Sequence, residues 1–250
     1  MRGLFVGGTD TGVGKSVLGA ALLAAMAFAG ERARGHKPVL TGLEDRGAGD
    51  RSQSPEGGRW PSDDELLGAA AGMPAEEVAP LRYGPAVSPH LAAAMAGEQI
   101  DPARLLAAGF AAASAGTAIV EGVGGLLTPL TDRYTLCDYA LALGLPVLIA
   151  ARPGLGTINH TLLTVAAARA AGLEVRAVVL TPWPSRPSRM ERSNRETIAR
   201  MAGIEVEGLP WRRWLRRSGP RMATASQDAP TRAASTTAAV TLARSGSSMT

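Results

Sequence analysis

Two rhythms of apolar and polar positions alternate along the chain. Short apolar runs at 4–6, 117–120, 146–150 and 175–180 have the length and bounding residues of buried strands. Longer stretches rich in Ala and Leu separate them and predict helices over 16–29, 102–115, 135–143, 159–171 and 188–202. The segment 37–42 reads as another short strand whose end carries polar groups, and 205–209 as a last one. At 61–67 the sequence signals a helix start, with Ser62 as N-cap and three acids in the first turn. Strands alternating with helices of this length predict an α/β fold, a mainly parallel sheet flanked by helices. Residues 43–61, rich in Gly, Ser, Asp and Arg, read as a surface loop. Beyond Trp214 the periodicity dissolves, so we expect one catalytic domain over 1–215 and a disordered basic tail over 216–250.

Composition narrows the classes. The net charge of +4 is misleading: seven arginines and one acid follow Trp211, so the basicity belongs to the tail. With only 4% aromatic residues, the main domain offers little for a nucleic-acid face. No apolar run reaches the roughly 20 residues of a membrane span. The first residues already form strand and loop, so no cleavable signal is expected, and Cys137 stands alone. A cytoplasmic protein without disulfides is the expectation.

The chemistry begins directly after the first strand. Gly8-Thr-Asp-Thr-Gly-Val-Gly-Lys15-Ser16 has the Gly-Lys-Ser spacing of a phosphate-binding P-loop, with Gly8 one place early of the strict form. In such a loop, backbone N–H groups and a helix N-terminus face the phosphates. Lys15 then reaches the β- and γ-phosphates, and the Ser16 hydroxyl is placed to ligate Mg²⁺. A nucleoside triphosphate is the predicted ligand.

A count of cations adds a second residue. Of 26 basic residues 24 are Arg, and the two lysines are Lys15 and Lys37. Where Lys persists against such a bias, the chemistry calls for a compact ammonium rather than a planar guanidinium. Glu121 follows four apolar strand residues, the place of a metal-binding acid in P-loop enzymes; a carboxylate capping the Gly-rich turn is the alternative. Asp63 or Asp64 is a weaker metal candidate, since a helix N-terminus attracts acids for dipole reasons alone. The turn 154–157, ahead of the helix carrying Asn159, offers free backbone N–H groups for a carboxylate. The P-loop, Lys37–Thr41 and Glu121 all stand at strand carboxyl ends, where open α/β sheets bind ligands.

Taken together, the segments 8–16, 37–42, 88–90, 120–127 and 154–161 closely resemble dethiobiotin synthetase, the ATP-dependent carboxylase of biotin synthesis. They occur in the expected order within residues 4–181. The resemblance implies 7,8-diaminopelargonate, CO₂ and ATP as substrates and Mg²⁺ as cofactor. It assigns catalysis to Lys37, Lys15 and Thr11, with Lys37 holding a carbamate and Lys15 the γ-phosphate. Nucleotide contacts fall to Gly12, Val13, Gly14, Lys15, Ser16, Val17, Asp63, Glu121, Gly122, Val123, Gly124, Thr181, Pro210 and Trp211. Ser16, Asp63 and Glu121 would surround the metal. Thr41 would bind substrate, and Gly156, Thr157, Ile158 and Asn159 of a second subunit its carboxylate, which makes a homodimer functional. The chain departs from the family where Ser16 replaces a common Thr, Thr41 a common Ser and Thr181 an adenine-reading Asn.

Two rivals stand beside this reading. A P-loop amidotransferase subunit of corrin synthesis would need a nucleophilic Cys, and Cys137 falls inside a predicted helix. A partition or positioning ATPase of the deviant P-loop type carries a signature Lys where this chain has Asp10.

Overall fold

The structure is a computed structural model and describes residues 2–44 and 60–210. Trp211, the expected tail over 216–250 and most of the loop over 43–61 lie outside the described residues.

In chain order the elements are β1 (Gly3–Gly8), α1 (Lys15–Phe28), β2 (Ala33–His36), β3 (Val39–Leu40), α2 (Asp63–Ala71), α3 (Ala75–Val78), β4 (Leu81–Arg82), α4 (Pro89–Met95) and α5 (Pro102–Ser114). There follow β5 (Thr117–Glu121), β6 (Pro129–Thr131), β7 (Tyr134–Thr135), α6 (Leu136–Leu143), β8 (Val147–Ala151), α7 (Thr157–Ala170), β9 (Val175–Leu180), α8 (Arg189–Ala202) and β10 (Glu205–Gly208). Six strands form one sheet in the order β10-β9-β8-β1-β5-β2, and every pairing in it is parallel.

Parallel strands buried on both faces need apolar side chains at every position, and the runs supply them. Leu4 and Val6 point with Ile119 and Leu148 into a core closed by α1 and α2, where Leu18, Leu22, Leu66 and Leu67 pack. Phe5 points the other way with Val120, Val147 and Ile149, onto Leu136, Tyr139 and Val165. Alternate residues of one strand thus build both layers.

Two expectations are corrected, one about segment 37–42 and one about the helix over 159–171. The strand that joins the main sheet is 33–36, and Lys37 directly follows it. Pro38 has no N–H to offer, so the ladder with β5 stops there, and Val39–Leu40 pairs with β4 in a separate two-stranded sheet. The predicted helix over 159–171 begins two residues earlier, at Thr157. The short pairs β3–β4 and β6–β7 were not evident in the sequence.

The strand order places the site. From central β1 the chain crosses to β2 at one edge, returns through β5 and continues on the other side through β8. The connections diverge on either side of β1, and the crevice at its carboxyl end is where such sheets bind ligands. The P-loop fills that position.

Candidate active site

The loop from β1 to α1 is bent tightly by two glycines. Gly14 is the N-cap of α1 with φ of 88°, and a Cβ there would lie 2.6 Å from Thr181 Cγ2. Gly8 is needed for space: a Cβ would press on Val13 and on the Lys15 stem at 2.9 and 3.0 Å. Lys15 Nζ donates to the Asp10 carbonyl at 2.8 Å, closing the loop on itself. Burial, and after it the Lys37 charge, push the Lys15 ammonium down to about 8.

Strand register brings Lys37 to Glu121. His36 pairs with Val120 across β2 and β5, so the next residues, Lys37 and Glu121, meet beyond the ladder. Lys37 Nζ donates to Glu121 Oε1 at 2.7 Å and pairs with Asp63 Oδ2 at 2.8 Å. Ser16 Oγ lies 2.6 Å from Asp63 Oδ1 and 2.9 Å from Glu121 Oε1, so its one hydroxyl proton is shared between two carboxylates. Three elements thus meet within hydrogen-bond distance: the start of α1, the start of α2 and the end of β5. Burial alone would lower the Lys37 ammonium, but Asp63 and Glu121 outweigh it and hold it above its ordinary value. Burial opposes ionisation of Asp63 too, yet Lys37 and Ser16 keep that carboxyl below the usual range. Glu121, fully buried and facing the Asp63 charge, is pushed up.

The adjacent aspartates face opposite ways. α2 opens with a capping box between Ser62 and Glu65, which fixes the first turn. Asp63 then faces the cleft, while Asp64 is buried and pairs with Arg82 at 2.7 Å. This geometry selects Asp63 over Asp64 as the acid at the P-loop.

A cleft of about 640 Å³ opens over this cluster, lined by Thr11, Lys15, Ser16, Lys37, Thr41, Asp63 and Glu121. Gly12, Gly14, Val17, Val123 and Gly124 also line it, together with Trp60 and the segment 86–89. Val13 is buried in the core, and Gly122 offers its carbonyl 3.5 Å from Lys37 Nζ. Thr181 lies behind the P-loop against Gly14, fully buried, with no partner for its hydroxyl among the described residues. Pro210 is half-buried at the end of the described chain. Gly156, Thr157, Ile158 and Asn159 do not line the cleft of their own chain; they begin α7, beside an almost bare Leu155.

Two residues that sequence reasoning missed hold the loop between β8 and α7. Arg152 donates to the Thr11 carbonyl at 3.2 Å, tying this loop to the P-loop. Asn194, buried on α8, donates to the carbonyls of Pro153 and Gly154 at 3.0 and 3.2 Å. A signal for Asn194 was present: it stands with Ile198 and Ala202 at i, i+4 and i+8, on the buried stripe of an otherwise polar helix.

The donor set suits Mg²⁺. That ion takes one or two carboxylates with phosphate oxygens and water, rather than a cage of protein ligands. Ser16, Asp63 and Glu121 supply a hydroxyl and two carboxylates, and Glu121 Oε2 is buried with no hydrogen-bond partner among the described residues. No group of three or more His, Cys, Asp and Glu side chains that could hold a metal occurs among those residues.

A parallel sheet with a P-loop at its switch point, and beside it a buried lysine bridging two acids, defines a P-loop nucleotide-binding protein. Comparison with solved structures agrees on the fold. A ParA family ATPase from Chlorobium tepidum superposes with a TM-score of 0.51 at 15% identity, covering 87% of this chain and 89% of that one. The cell division ATPase MinD of Pyrococcus furiosus gives 0.51 at 13% identity, with 97% of each chain covered. A family model described as an AAA domain matches residues 2–217. Among curated proteins, the ATP-dependent dethiobiotin synthetase BioD of Anaeromyxobacter dehalogenans is 43% identical over 215 residues, 84% of this chain and 91% of the relative. The proteins of the same name from Bacillus subtilis and a Mycobacterium species are 32% and 39% identical, over 84% and 82% of this chain and 87% and 86% of theirs. The chain belongs to the ATP-dependent dethiobiotin synthetase family.

Proposed function

We propose that this chain makes dethiobiotin from 7,8-diaminopelargonate, CO₂ and ATP, releasing ADP and phosphate. The observation that carries the reading is the second buried ammonium, Lys37, on the cleft that the P-loop lysine also lines. A nucleotide switch needs cations for phosphate; a carboxylating ligase needs one more for the anion that attacks it.

The chemistry runs in three balanced steps. One amine of the substrate adds to CO₂ and loses a proton, giving a carbamate. A carbamate oxygen attacks the γ-phosphorus, and the bond to ADP breaks to leave a carbamic-phosphoric anhydride. The second amine attacks the carbamoyl carbon and gives up a proton, phosphate departs, and the cyclic urea closes. Two anions must approach in the second step, so their repulsion dominates the barrier and fixed positive charge lowers it. Lys37 holds the carbamate oxygens, Lys15 and the P-loop N–H groups hold the γ-phosphate, and Thr11 and Thr41 donate from the cleft wall. Ser16, Asp63 and Glu121 hold Mg²⁺, which when bound offsets phosphate charge.

Gly156–Asn159 bind the substrate carboxylate of a partner subunit in this reading. Supporting it, these residues begin a helix whose N–H groups suit an anion, and the same loop and helix carry Leu155 and Leu163, 94% and 61% exposed. Such apolar exposure fits a face covered by a second copy. No helix among the described residues is long and apolar enough to cross a membrane.

The test is ADP release with MgATP and bicarbonate, with and without the diamine. Turnover should require the diamine, and Lys37→Ala should lower kcat roughly a hundred- to thousand-fold, as loss of a transition-state cation or donor does. Turnover indifferent to the diamine would return the chain to the nucleotide-switch class.

A further inference from the structure

Two consecutive peptides of the P-loop are held in different ways. The peptide between Asp10 and Thr11 is fixed from inside the loop at both ends. Its carbonyl accepts from Lys15 Nζ at 2.8 Å, and its N–H donates to Asp10 Oδ1 at 2.7 Å. The next peptide, between Thr11 and Gly12, is held from outside. Among the described residues its carbonyl accepts one hydrogen bond, from the Arg152 guanidinium at 3.2 Å. A Cβ on Gly12 would lie 3.2 Å from the same guanidinium nitrogen, so Arg152 stands against this peptide and not merely near it.

Planarity turns that contact into a direction. In a trans peptide the C=O and the N–H point opposite ways. Thr11 and Gly12 line the cleft, whereas Arg152 is exposed and is not part of the cleft wall. A Thr11 carbonyl turned to Arg152 therefore turns the Gly12 N–H towards the cleft, where phosphate oxygens need donors. Without that hold the peptide is free to turn over. Gly12 has φ of 68°, and glycine adopts positive and negative φ about equally readily. A flipped peptide would present a carbonyl oxygen to a polyphosphate and repel it.

We propose that Arg152 is a positioning residue for the nucleotide: it holds the Thr11–Gly12 peptide with its N–H facing the phosphates before they arrive. The guanidinium does this from behind the loop and touches no phosphate. The role rests on the P-loop being the nucleotide site and is independent of the acceptor that the phosphoryl group meets. A single exposed hydrogen bond contributes little to global stability, so its loss should change nucleotide affinity and leave folding alone.

The sequence supplies a selective probe. Thr is followed by Gly at two places, Thr11–Gly12 and Thr41–Gly42. Full-length protein made by cell-free synthesis with ¹³C at Thr carbonyls and ¹⁵N at Gly amides gives two signals in a carbonyl–amide correlation spectrum, and Thr41→Ser removes the second. A saturating non-hydrolysable ATP analogue with Mg²⁺ should move the Gly12 amide downfield in wild type. In Arg152→Met that movement should fall by half or more, and calorimetry should show the analogue bound roughly tenfold more weakly, as loss of one N–H donor to a charged oxygen does. Circular dichroism and the melting temperature should match wild type. A Gly12 signal that the analogue leaves unmoved in wild type overturns the proposal, and so does equal affinity in the variant. Weaker binding with the full Gly12 movement overturns it too, because it marks a loss of charge and not of orientation. If Arg152→Met fails to fold, Arg152→Gln, two atoms too short to reach the Thr11 carbonyl, is read in the same way. No arm contains the diamine, so failure of this role and failure of the proposed reaction are read separately.

Discussion

His36 shows how closely ordinary packing and the site are interleaved. It precedes Lys37, is buried, and lies 3.2 Å from the Tyr139 hydroxyl. That hydroxyl donates its proton to the Leu105 carbonyl at 3.3 Å, so His36 Nε2 must be the donor in the pair. Burial holds the imidazole down at about 4. The unfolded chain, with an ordinary histidine near 6.5, binds the extra proton first as pH falls. The stability tied to neutral His36 is thus present in full above pH 6.5 and is lost progressively between 6.5 and 4, by up to about 3 kcal/mol. Melting curves of wild type should fall across this window, and those of His36→Gln should fall less. At this scale the sequence was informative where chemistry forced an unusual choice, as with Lys37 among arginines. It was mute where neighbours decide: Asp63 and Asp64 are the same residue in the same helical turn, and partners distant in sequence separate them, Lys37 and Ser16 for one and Arg82 for the other.

Among elements, the connection between β8 and α7 matters most beyond the P-loop. Arg152 ties its start to the P-loop and Asn194 holds its middle to α8. Under the proposed reaction, Asn194→Ala removes the donor to the Pro153 carbonyl, leaves Gly154 with the Thr157 N–H alone, and loosens the start of α7. Steady-state kinetics should show KM for the diamine raised about tenfold or more, in line with one lost hydrogen bond to a placed loop, while KM for ATP stays nearly constant. An equal rise in both would contradict this role. The long strands and helices were legible because each carries its own periodicity. The short pairs β3–β4 and β6–β7 were not, since two or three residues carry no period and are held by what packs around them. The end of β2 was misjudged for a related reason: 39–40 looks as strand-like as 33–36, and Pro38 and the end of β5 decide which one joins the sheet.

At the scale of the whole molecule, the proposed dimer makes each site depend on two chains. Lys37→Ala disables a site from its own chain, and Asn159→Asp disables the partner's by placing an acid against the substrate carboxylate. Each variant alone should be nearly inactive. Mixed in equal amounts and allowed to exchange, half of the dimers pair one of each and carry one intact site. Activity should recover to about a quarter of wild type. No recovery in a mixture shown by mass spectrometry to have exchanged would place Gly156–Asn159 on their own chain's site. Leu163→Asp should separate the dimer, read by sedimentation, with fold retained by circular dichroism.

The strand order also divides the cleft between two kinds of chain segment. In the proposed reaction phosphate and metal fall to the ends of β1 and β5 and the first turns of α1 and α2, whereas the far wall of the cleft comes from 40–41 and 86–89, outside the main sheet. Under that reaction the energy-yielding half and the acceptor-choosing half of the cleft stand on different pieces of chain. Substitutions can therefore accumulate in the second half and change what the cleft accepts while the first stays intact.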